Sequence, residues 1–356
     1  MTVVARFEIE LFRCLDADGT ALADLPAFAS DRDTLVDLYR WMALARTFDQ
    51  KAIALQRTGR LGTYASSLGQ EGVSVGLAHA MNDEDVLLPS FREHGAQLVR
   101  GVTPKELLQY WGGDERGSDF AGPRQDFPIS IPVGSHAPHA AGAALAFKLR
   151  GEPRAAVAVF GDGATSKGDV YEAMNVAGTW QLPVVFIATN NQWAISVPRS
   201  AQTAADTLAQ KAIGVGLEGR QVDGNDVIAM RQIIRDALDK ARSGGGATLI
   251  EALTYRLADH TTADDASRYR DDDEVATHWQ EEPIARLRNY LTAAHSWSKA
   301  EEETLIEACT AEIEQATAAY LAEPAEPPEA MFDHLYAELP SALDAQRIAV
   351  LAEAAE

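Results

Sequence analysis

An aspartate and an asparagine in the middle of this 356-residue chain each follow a short apolar run with the composition of a buried β-strand. Asp162 stands in the sequence Gly-Asp-Gly just after residues 155–160, and Asn191 comes shortly after residues 182–188. The two are 191 − 162 = 29 positions apart, about the length of one β-α-β repeat. Both side chains should therefore reach the edge at which open α/β sheets bind ligands. One carboxylate, one amide oxygen and a nearby backbone carbonyl are hard ligands that suit an octahedral Mg²⁺ completed by phosphate and water.

The glycines on either side of Asp162 add a feature of a phosphate site. Gly161 and Gly163 have no side chains, so a phosphate can approach the backbone closely, and a helix is predicted to begin near Gly168. The free N–H groups at the start of a helix attract anions. Either motif alone is a common turn or loop signal. Their combination at this spacing indicates a site for a metal ion and a phosphate group.

The segments around this unit supply the elements of an α/β domain. Apolar runs at 85–89, 155–160, 182–188 and 247–253 predict buried parallel strands, and amphipathic stretches at 31–57, 70–81, 136–150, 168–180, 226–241 and 298–321 predict helices. This alternation is typical of a doubly wound, mostly parallel sheet with helices on both faces. The polar segment 254–274, which follows the last strand, is expected to be a mobile loop at the ligand edge.

Three regions are predicted along the chain. Residues 1–30 show no strong periodicity and are expected to form an N-terminal arm on the domain or on a partner. Residues 31–321 are expected to form the α/β domain. Residues 322–356 begin with a proline-broken linker and end in an alanine-rich, acidic tail.

The Gly-Asp-Gly motif followed by Asn-Asn at this spacing resembles the diphosphate-binding motif of thiamine diphosphate enzymes. The wider stretch 155–270 resembles the alpha subunit of the decarboxylase (first) component of 2-oxo acid dehydrogenase complexes, of the pyruvate or branched-chain type. The resemblance implies the diphosphate-binding half of a thiamine-diphosphate-binding fold, with thiamine diphosphate and Mg²⁺ as cofactors. It also implies oxidative decarboxylation of a small 2-oxo acid, with the acyl group passed to lipoamide.

The resemblance assigns roles to the matching residues of this sequence. Asp162, Asn191 and the backbone carbonyl of Trp193 would hold Mg²⁺. His260 would be catalytic, lying beside the thiazolium ring and donating a proton or a hydrogen bond to the substrate oxygen. The cofactor-binding residues would be Phe91, Arg92, Ile131, Val133, Gly161, Asp162, Gly163, Ala164, Asn191 and His260, and the substrate channel would include Thr63 and Tyr64.

Two of these positions depart from the family pattern. Phe91 stands where the family usually has tyrosine, so a hydroxyl that could reach a phosphate oxygen is absent and weaker cofactor binding is expected. Thr63 stands where both substrate types usually have phenylalanine, which would open the substrate pocket. Arg92 retains the planar guanidinium that suits a diphosphate.

The resemblance also implies partners. In that family, the glutamate that activates the pyrimidine ring of the cofactor comes from a beta subunit, and this chain matches only the diphosphate-binding half. The expected assembly is an α₂β₂ heterotetramer with its active site between chains. The acyl acceptor would be the lipoyl domain of a dihydrolipoamide acyltransferase component, and the chain alone should be nearly inactive.

Composition limits the other classes of partner and the compartment. The chain carries 31 basic and 53 acidic residues, for a net charge of −22, which argues against nucleic acid and anionic membranes. Cys14 and Cys309 form no CxxC motif, and the first residues resemble neither a signal nor a transit peptide. No apolar run approaches the length of a membrane span. The protein is therefore expected in the cytoplasm.

Several functional hypotheses stay open. Pyruvate is the predicted substrate, because residues 202–226 resemble bacterial pyruvate-type subunits most, whereas residues 260–270 are equally close to branched-chain enzymes that use 3-methyl-2-oxobutanoate. An acetoin-cleaving relative is a third hypothesis. A non-catalytic, diphosphate-binding regulatory homologue is disfavoured by the intact pair Asp162 and Asn191. A plain nucleotide-binding enzyme is disfavoured because neither GxGxxG after a first strand nor GxxxxGK[ST] occurs.

Overall fold

The computed structural model describes residues 1–22, 25–333 and 335–354. Within these residues the strands are β1 (Leu11–Phe12), β2 (Val86–Leu88), β3 (Ala156–Gly161), β4 (Val184–Asn190), β5 (Trp193–Ala194), β6 (Val197–Pro198), β7 (Glu218–Asp223) and β8 (Thr248–Leu253). The helices are α1 (Arg32–Arg57), α2 (Glu71–Ala80), α3 (His94–Val99), α4 (Pro104–Gly112), α5 (His136–Arg150), α6 (Gly168–Thr179), α7 (Arg199–Gln202), α8 (Val227–Arg242), α9 (Asp272–Trp279), α10 (Pro283–His295), α11 (Lys299–Leu321), α12 (Ala330–Asp333) and α13 (Asp344–Ala354).

Six of the described strands form one sheet in the order β1-β7-β8-β4-β3-β2. Every neighbouring pair in this sheet is parallel. The strand order reverses direction along the chain, so the helices that connect the strands cover both faces. The predicted doubly wound parallel sheet is confirmed.

The central strands are buried on both faces, which explains their nearly continuous apolar sequences. Successive side chains of a strand point to opposite faces. Val157 and Val159 of β3 pack into the core formed with α1, α2, α8 and α10. Ala156, Ala158 and Phe160 of the same strand pack into the core formed with α5 and α6. The two cores hold the sheet rigid between two helical layers.

The register of β3 and β4 brings the two polar motifs to one place. Gly161, the last residue of β3, lies opposite Thr189 of β4. Asp162 and Asn191 therefore leave neighbouring strands at the same edge. The end of β8 lies on the other side of β4, so the segment that follows β8 starts at this edge as well.

Helix boundaries follow capping signals that are visible in the sequence. The side chain of Thr103 accepts the N–H of Glu106 and the side chain of Glu106 returns to the backbone of Thr103, which starts α4. Ser298 and Glu301 start α11 in the same way. Helix α11 ends at Leu321, where the predicted domain ends. Among the described helices, none is both long and apolar enough to cross a lipid bilayer.

Part of the predicted N-terminal arm joins the sheet. Strand β1 pairs in parallel with β7 at the sheet edge. Just beyond it, the carboxylate of Asp226 accepts the N–H groups of Cys14 at 2.7 Å and Leu15 at 2.6 Å. The same carboxylate caps α8 by accepting the N–H groups of Ile228 and Ala229. One fully buried side chain thus fastens the arm to the domain.

The Asp226→Ala variant is expected to lose about 3 kcal/mol or more of unfolding free energy, because buried N–H groups in two segments would lose their acceptor. Urea denaturation measures this loss. The matched control is Asp271→Ala, since Asp271 is an exposed cap that accepts only the N–H of Asp273 at the start of α9. That control should cost about 1 kcal/mol. Equal losses in the two variants would contradict the fastening role of Asp226.

Candidate active site

A cavity of about 220 Å³ lies at the carboxyl edge of the sheet. Its walls come from the segments that follow β2, β3, β4 and β8, together with the residues before α5 and α2. The lining residues are Gln70, Ser90, Phe91, Arg92, Glu93, Val133, Gly134, Phe160, Gly161, Asp162, Gly163, Ala164, Thr189, Asn191, Trp193, Ala194, Ile195 and His260. Distant parts of the chain therefore meet at the edge where open α/β sheets bind ligands.

Asp162 is a buried carboxylate in the wall of this cavity, with 1% of its surface exposed. Its Oδ2 accepts a hydrogen bond from Nε2 of Gln202 at 3.0 Å. Burial raises the pKa of Asp162 above its ordinary value, and the hydrogen bond from Gln202 opposes this rise. A buried carboxylate is stabilised when a cation lies beside it. The environment of Asp162 thus favours binding of a positive ion.

The carboxamide of Asn191 is held at both ends. Its Nδ2 donates to Oε1 of Gln70 at 3.1 Å, and its Oδ1 accepts the N–H of Trp193 at 3.2 Å. The backbone carbonyl of Trp193 accepts a hydrogen bond from Nη1 of Arg256 at 3.4 Å. Asn191 and Trp193 therefore line the same cavity as Asp162.

The two glycines beside Asp162 meet different surroundings. A Cβ atom at Gly163 would lie 2.8 Å from the Cβ atom of Ala194, so the packing of the protein itself requires this glycine. A Cβ atom at Gly161 would meet nothing within 4 Å. The protein's own packing does not require Gly161, and the open space beside it leaves the backbone accessible.

Arg92 and His260 contact each other in the wall of the cavity. The Nη2 atom of Arg92 donates to the backbone carbonyl of His260 at 2.7 Å and lies 3.0 Å from its Nδ1. Because a guanidinium group only donates hydrogen bonds, Nδ1 must be the acceptor. The neutral imidazole therefore carries its proton on Nε2. Arg92 fixes this tautomer and leaves His260 with a donor nitrogen.

Charge and burial keep His260 neutral near pH 7. Burial lowers its pKa to about 4, and the positive charges of Arg92 and Arg256 act in the same direction. Burial also lowers the pKa of Arg92 to about 10, with Arg256 contributing. At neutral pH the cavity wall thus holds the cationic guanidinium of Arg92 and a neutral imidazole, and the charge of Arg256 acts on the imidazole from nearby. This combination attracts an anion and offers it hydrogen-bond donors.

The segment after β8 is tied down by its own hydrogen bonds, although its composition predicts a mobile loop. The backbone N–H of His260 donates to Oδ2 of Asp264 at 2.9 Å, and the hydroxyl of Tyr269 donates to the same oxygen. The Nη2 atom of Arg256 in turn donates to the hydroxyl of Tyr269 at 2.8 Å. The polar side chains of this segment therefore form hydrogen bonds with one another, and these bonds hold His260 at the cavity.

A second network, centred on Asp49 of α1, supports the wall that holds Arg92. Asp49 is 1% exposed and accepts hydrogen bonds from the hydroxyls of Tyr64 at 2.9 Å and Ser66 at 2.7 Å, and from the N–H of Ser67 at 2.7 Å. The backbone carbonyl of Ser66 accepts a hydrogen bond from Nη1 of Arg92. Asp49 therefore positions the loop that orients Arg92.

Comparison with known proteins identifies the family of the chain. The sequence profile described as "Dehydrogenase E1 component" matches residues 39–329. The chain belongs to this family. It is 41% identical over 354 residues to the 3-methyl-2-oxobutanoate dehydrogenase subunit alpha of Mycobacterium tuberculosis, covering 98% of this chain and 95% of that relative. The predicted relationship to alpha subunits of 2-oxo acid dehydrogenases is confirmed.

Alpha subunits named for pyruvate are similar to the chain as well. The pyruvate dehydrogenase E1 component subunit alpha of Staphylococcus aureus is 40% identical over 311 residues, covering 87% of this chain and 84% of that relative. That of Mycoplasma genitalium is 35% identical over 340 residues, covering 95% of each. The chain is thus similar over most of its length to E1 alpha subunits of both substrate types.

The structure brings most of the predicted site residues of this E1 chain together. Those that line the cavity are Phe91, Arg92, Val133, Gly161, Asp162, Gly163, Ala164, Asn191, Trp193 and His260. Three others do not line it. Ile131 is 50% exposed, Thr63 is exposed, and Tyr64 is fully buried with its ring stacked on that of His94 at 5.3 Å. The assignment of Thr63 and Tyr64 to a substrate channel stays a prediction.

Gln70 and Asp49 were missed by the sequence analysis of this E1 chain. Asp49 carries a recognisable signal, because it follows Met42 and Ala45 at helical spacing on the buried face of α1. A carboxylate on such a face needs partners. Gln70 carries no comparable signal, since it stands alone before α2 and its partner Asn191 is 121 positions away.

The Asp49→Ala variant is expected to destabilise the loop at 62–70, because the hydroxyls of Tyr64, Ser66 and Ser67 and the N–H of Ser67 would lose this acceptor, at about 1–3 kcal/mol for each group left unsatisfied. Hydrogen exchange followed by mass spectrometry should show faster exchange in peptides that cover this loop. Asp37→Ala on the same helix is the matched control, because Asp37 is half exposed. Unchanged exchange at 62–70 in Asp49→Ala would contradict the positioning role.

Proposed function

We propose that this chain is the diphosphate-binding alpha subunit of a 2-oxo acid dehydrogenase that uses thiamine diphosphate and Mg²⁺. The observation that carries the proposal is the convergence of Asp162, Asn191, Trp193, Arg92 and His260 on one cavity at the carboxyl edge of the sheet. These residues follow four strands, β2, β3, β4 and β8, and they combine oxygen ligands with a guanidinium group and a neutral histidine. Family membership supports the same chemistry.

The residues present fit a metal ion bound together with a diphosphate. The three proposed metal ligands are oxygen atoms, as Mg²⁺ requires. Arg92 supplies positive charge, and Gly161 leaves its backbone open. The site therefore offers cation ligands and anion donors side by side.

Each residue has a distinct proposed task. Asp162, Asn191 and the Trp193 carbonyl would hold Mg²⁺, and Arg92 would balance the negative charge of the diphosphate. Bound thiamine diphosphate supplies the electron sink that allows carbon dioxide to leave a 2-oxo acid. His260, with its proton on Nε2, would donate a hydrogen bond to the substrate oxygen and orient it. Phe91 and Val133 would give the cavity apolar walls.

A beta subunit is proposed to complete the site. Val133 and Ile195 line the cavity but are 44% and 56% exposed, and Ile131 beside them is 50% exposed. Apolar side chains at the rim of a site favour coverage by another protein surface. The relatives are themselves named as alpha subunits. We therefore propose an α₂β₂ assembly that passes its acyl group to the lipoyl domain of an acyltransferase.

The cysteines support a proposed compartment. Cys14 and Cys309 are both free and buried. Free thiols persist in reducing surroundings. This supports a cytoplasmic location for the complex.

Two substrates have support. Pyruvate is proposed first, because residues 202–226 resemble the pyruvate type and relatives from Staphylococcus aureus and Mycoplasma genitalium are named for pyruvate. The second candidate is 3-methyl-2-oxobutanoate. The Mycobacterium tuberculosis relative named for it matches 98% of this chain, and Thr63 replaces a bulky phenylalanine.

A ferricyanide-linked decarboxylation assay on the complex with the beta subunit tests this function. Pyruvate, 3-methyl-2-oxobutanoate, 2-oxoglutarate and acetoin would be compared with thiamine diphosphate and Mg²⁺ present. Turnover of one 2-oxo acid would identify the substrate. Turnover of acetoin alone would assign the chain to the acetoin-cleaving type. No turnover of any of the four by a well-formed complex would contradict the proposal.

A further inference from the structure

Gln70 is a buried carboxamide that contacts a proposed metal ligand. It immediately precedes α2, is 3% exposed and lines the cavity. Its Oε1 accepts a hydrogen bond from Nδ2 of Asn191 at 3.1 Å. Its Nε2 has no partner within the described residues. The contact with Asn191 is thus the side-chain hydrogen bond that sets the orientation of Gln70.

This contact decides which end of the Asn191 carboxamide is free to bind a cation. A carboxamide has an oxygen that accepts and a nitrogen that only donates. Gln70 engages the nitrogen, so the oxygen is turned to the other end, where it accepts the N–H of Trp193 at 3.2 Å and keeps a second lone pair. The hydrogen bond between Asn191 and Trp193 joins two residues that are only two positions apart in the sequence. Gln70 supplies the contact from a different part of the fold.

We propose that Gln70 is a positioning residue that turns the oxygen of Asn191 toward the metal ion. The inference rests on the proposed function, because it assigns Asn191 as a ligand of Mg²⁺. It adds a residue that binds no metal itself but raises the affinity of the site. Pre-organised metal ligands of this kind are held by hydrogen bonds from neighbouring groups.

The consequence is a specific dependence of metal affinity on the residue at position 70. Gln70→Met keeps the length of the side chain but removes its acceptor, so the apparent Kd for Mg²⁺ should rise about tenfold. Gln70→Glu keeps an acceptor for Nδ2 of Asn191, so the Kd should not rise. Asn191→Asp replaces the carboxamide by a group with two equivalent oxygens, which needs no such orientation.

The test is a double-mutant cycle on the complex with its beta subunit. Isothermal titration calorimetry would measure Mg²⁺ binding at saturating thiamine diphosphate in the wild type, Gln70→Met, Gln70→Glu, Asn191→Asp and the double variant Gln70→Met with Asn191→Asp. We expect a tenfold weakening from Gln70→Met with asparagine at 191 and less than twofold with aspartate at 191. Thermal unfolding without ligands would check that each variant is folded.

The outcomes separate this inference from the proposed function. The positioning role would be overturned if Gln70→Met weakened Mg²⁺ binding equally with asparagine and with aspartate at position 191. It would also be overturned if Gln70→Met did not weaken Mg²⁺ binding with asparagine at 191. The proposed function would stand in both cases. If Gln70→Met does not fold, a tenfold weakening by Gln70→Glu would overturn it and an unchanged Kd would support it. Absence of Mg²⁺-dependent cofactor binding in the wild type would overturn the proposed function, and this inference with it.

Discussion

An Asp162→Ala variant of the complex is expected to lose about a thousandfold in decarboxylation rate, because a metal ion contributes several kcal/mol to such sites. Asp162 is the only carboxylate among the three proposed ligands, so its loss removes the formal negative charge that they supply. The fold should tolerate the change. Burial raises the pKa of Asp162, so the native state disfavours its ionised form and gains little stability from it. Steady-state rates and urea denaturation of the same variant measure the two effects.

The control for this prediction is Asp169→Ala. Asp169 lies in the first turn of α6, close to Asp162 in sequence, but its side chain is half exposed and, among the described residues, forms an ion pair with Lys167 alone. Its removal should leave the rate within about twofold, as expected for a surface pair. A thousandfold loss accompanied by unfolding would contradict a metal-binding role, and so would a full rate with Asp162 absent.

The second large effect is expected for Arg92→Met. Loss of the guanidinium that we propose donates to the diphosphate should weaken thiamine diphosphate binding by about a hundredfold, since hydrogen bonds to charged groups contribute about 1.5–3 kcal/mol each. The same change removes a positive charge that lies against His260. The pKa of His260 should therefore rise from about 4 toward its ordinary value of 6.5, although burial will still keep it low.

The sign of this pKa change gives a pH-dependent signature. In the wild type, His260 stays neutral as the pH falls to about 5, because its pKa is about 4. In Arg92→Met, a larger fraction of His260 should be protonated between pH 5 and 6, and the proton on Nδ1 should no longer be excluded. Nuclear magnetic resonance of the imidazole nitrogens measures both the pKa and the tautomer.

Arg268→Met is the matched control, because Arg268 is an exposed residue of the same segment as His260. It should change neither the pKa of His260 nor the affinity for thiamine diphosphate by more than about twofold. An unchanged pKa of His260 in Arg92→Met would show that the contact at 3.0 Å does not determine its protonation.

Local signals predicted the fold well and also placed two polar side chains at one edge of the sheet. The predicted strands at 155–160 and 182–188 are observed as β3 and β4 within two residues at each end. Asp162 and Asn191 could be placed at one edge because a parallel sheet sends every strand in the same direction. Each motif directly follows its strand within a short stretch of sequence, so local patterns are enough to predict where its side chain lies along the chain.

Features that depend on contacts between distant segments were not predictable. Strand β1 has two residues, too few for a periodic pattern, and exists because it pairs with β7. Gln70 acquires its task from Asn191, and Tyr64 is fully buried because it bonds to Asp49 and stacks on His94. Side-chain direction in such loops is set by tertiary packing, on which the order of residues gives no direct information.

Crystals of the complex grown with thiamine diphosphate and Mn²⁺ in place of Mg²⁺ test the central claim most directly. Anomalous scattering would locate the metal ion. We expect one strong peak at about 2.0–2.2 Å from Oδ of Asp162, Oδ1 of Asn191 and the carbonyl oxygen of Trp193, with the remaining positions filled by diphosphate and water. A cofactor bound without metal at these atoms, or a metal held elsewhere, would contradict the account.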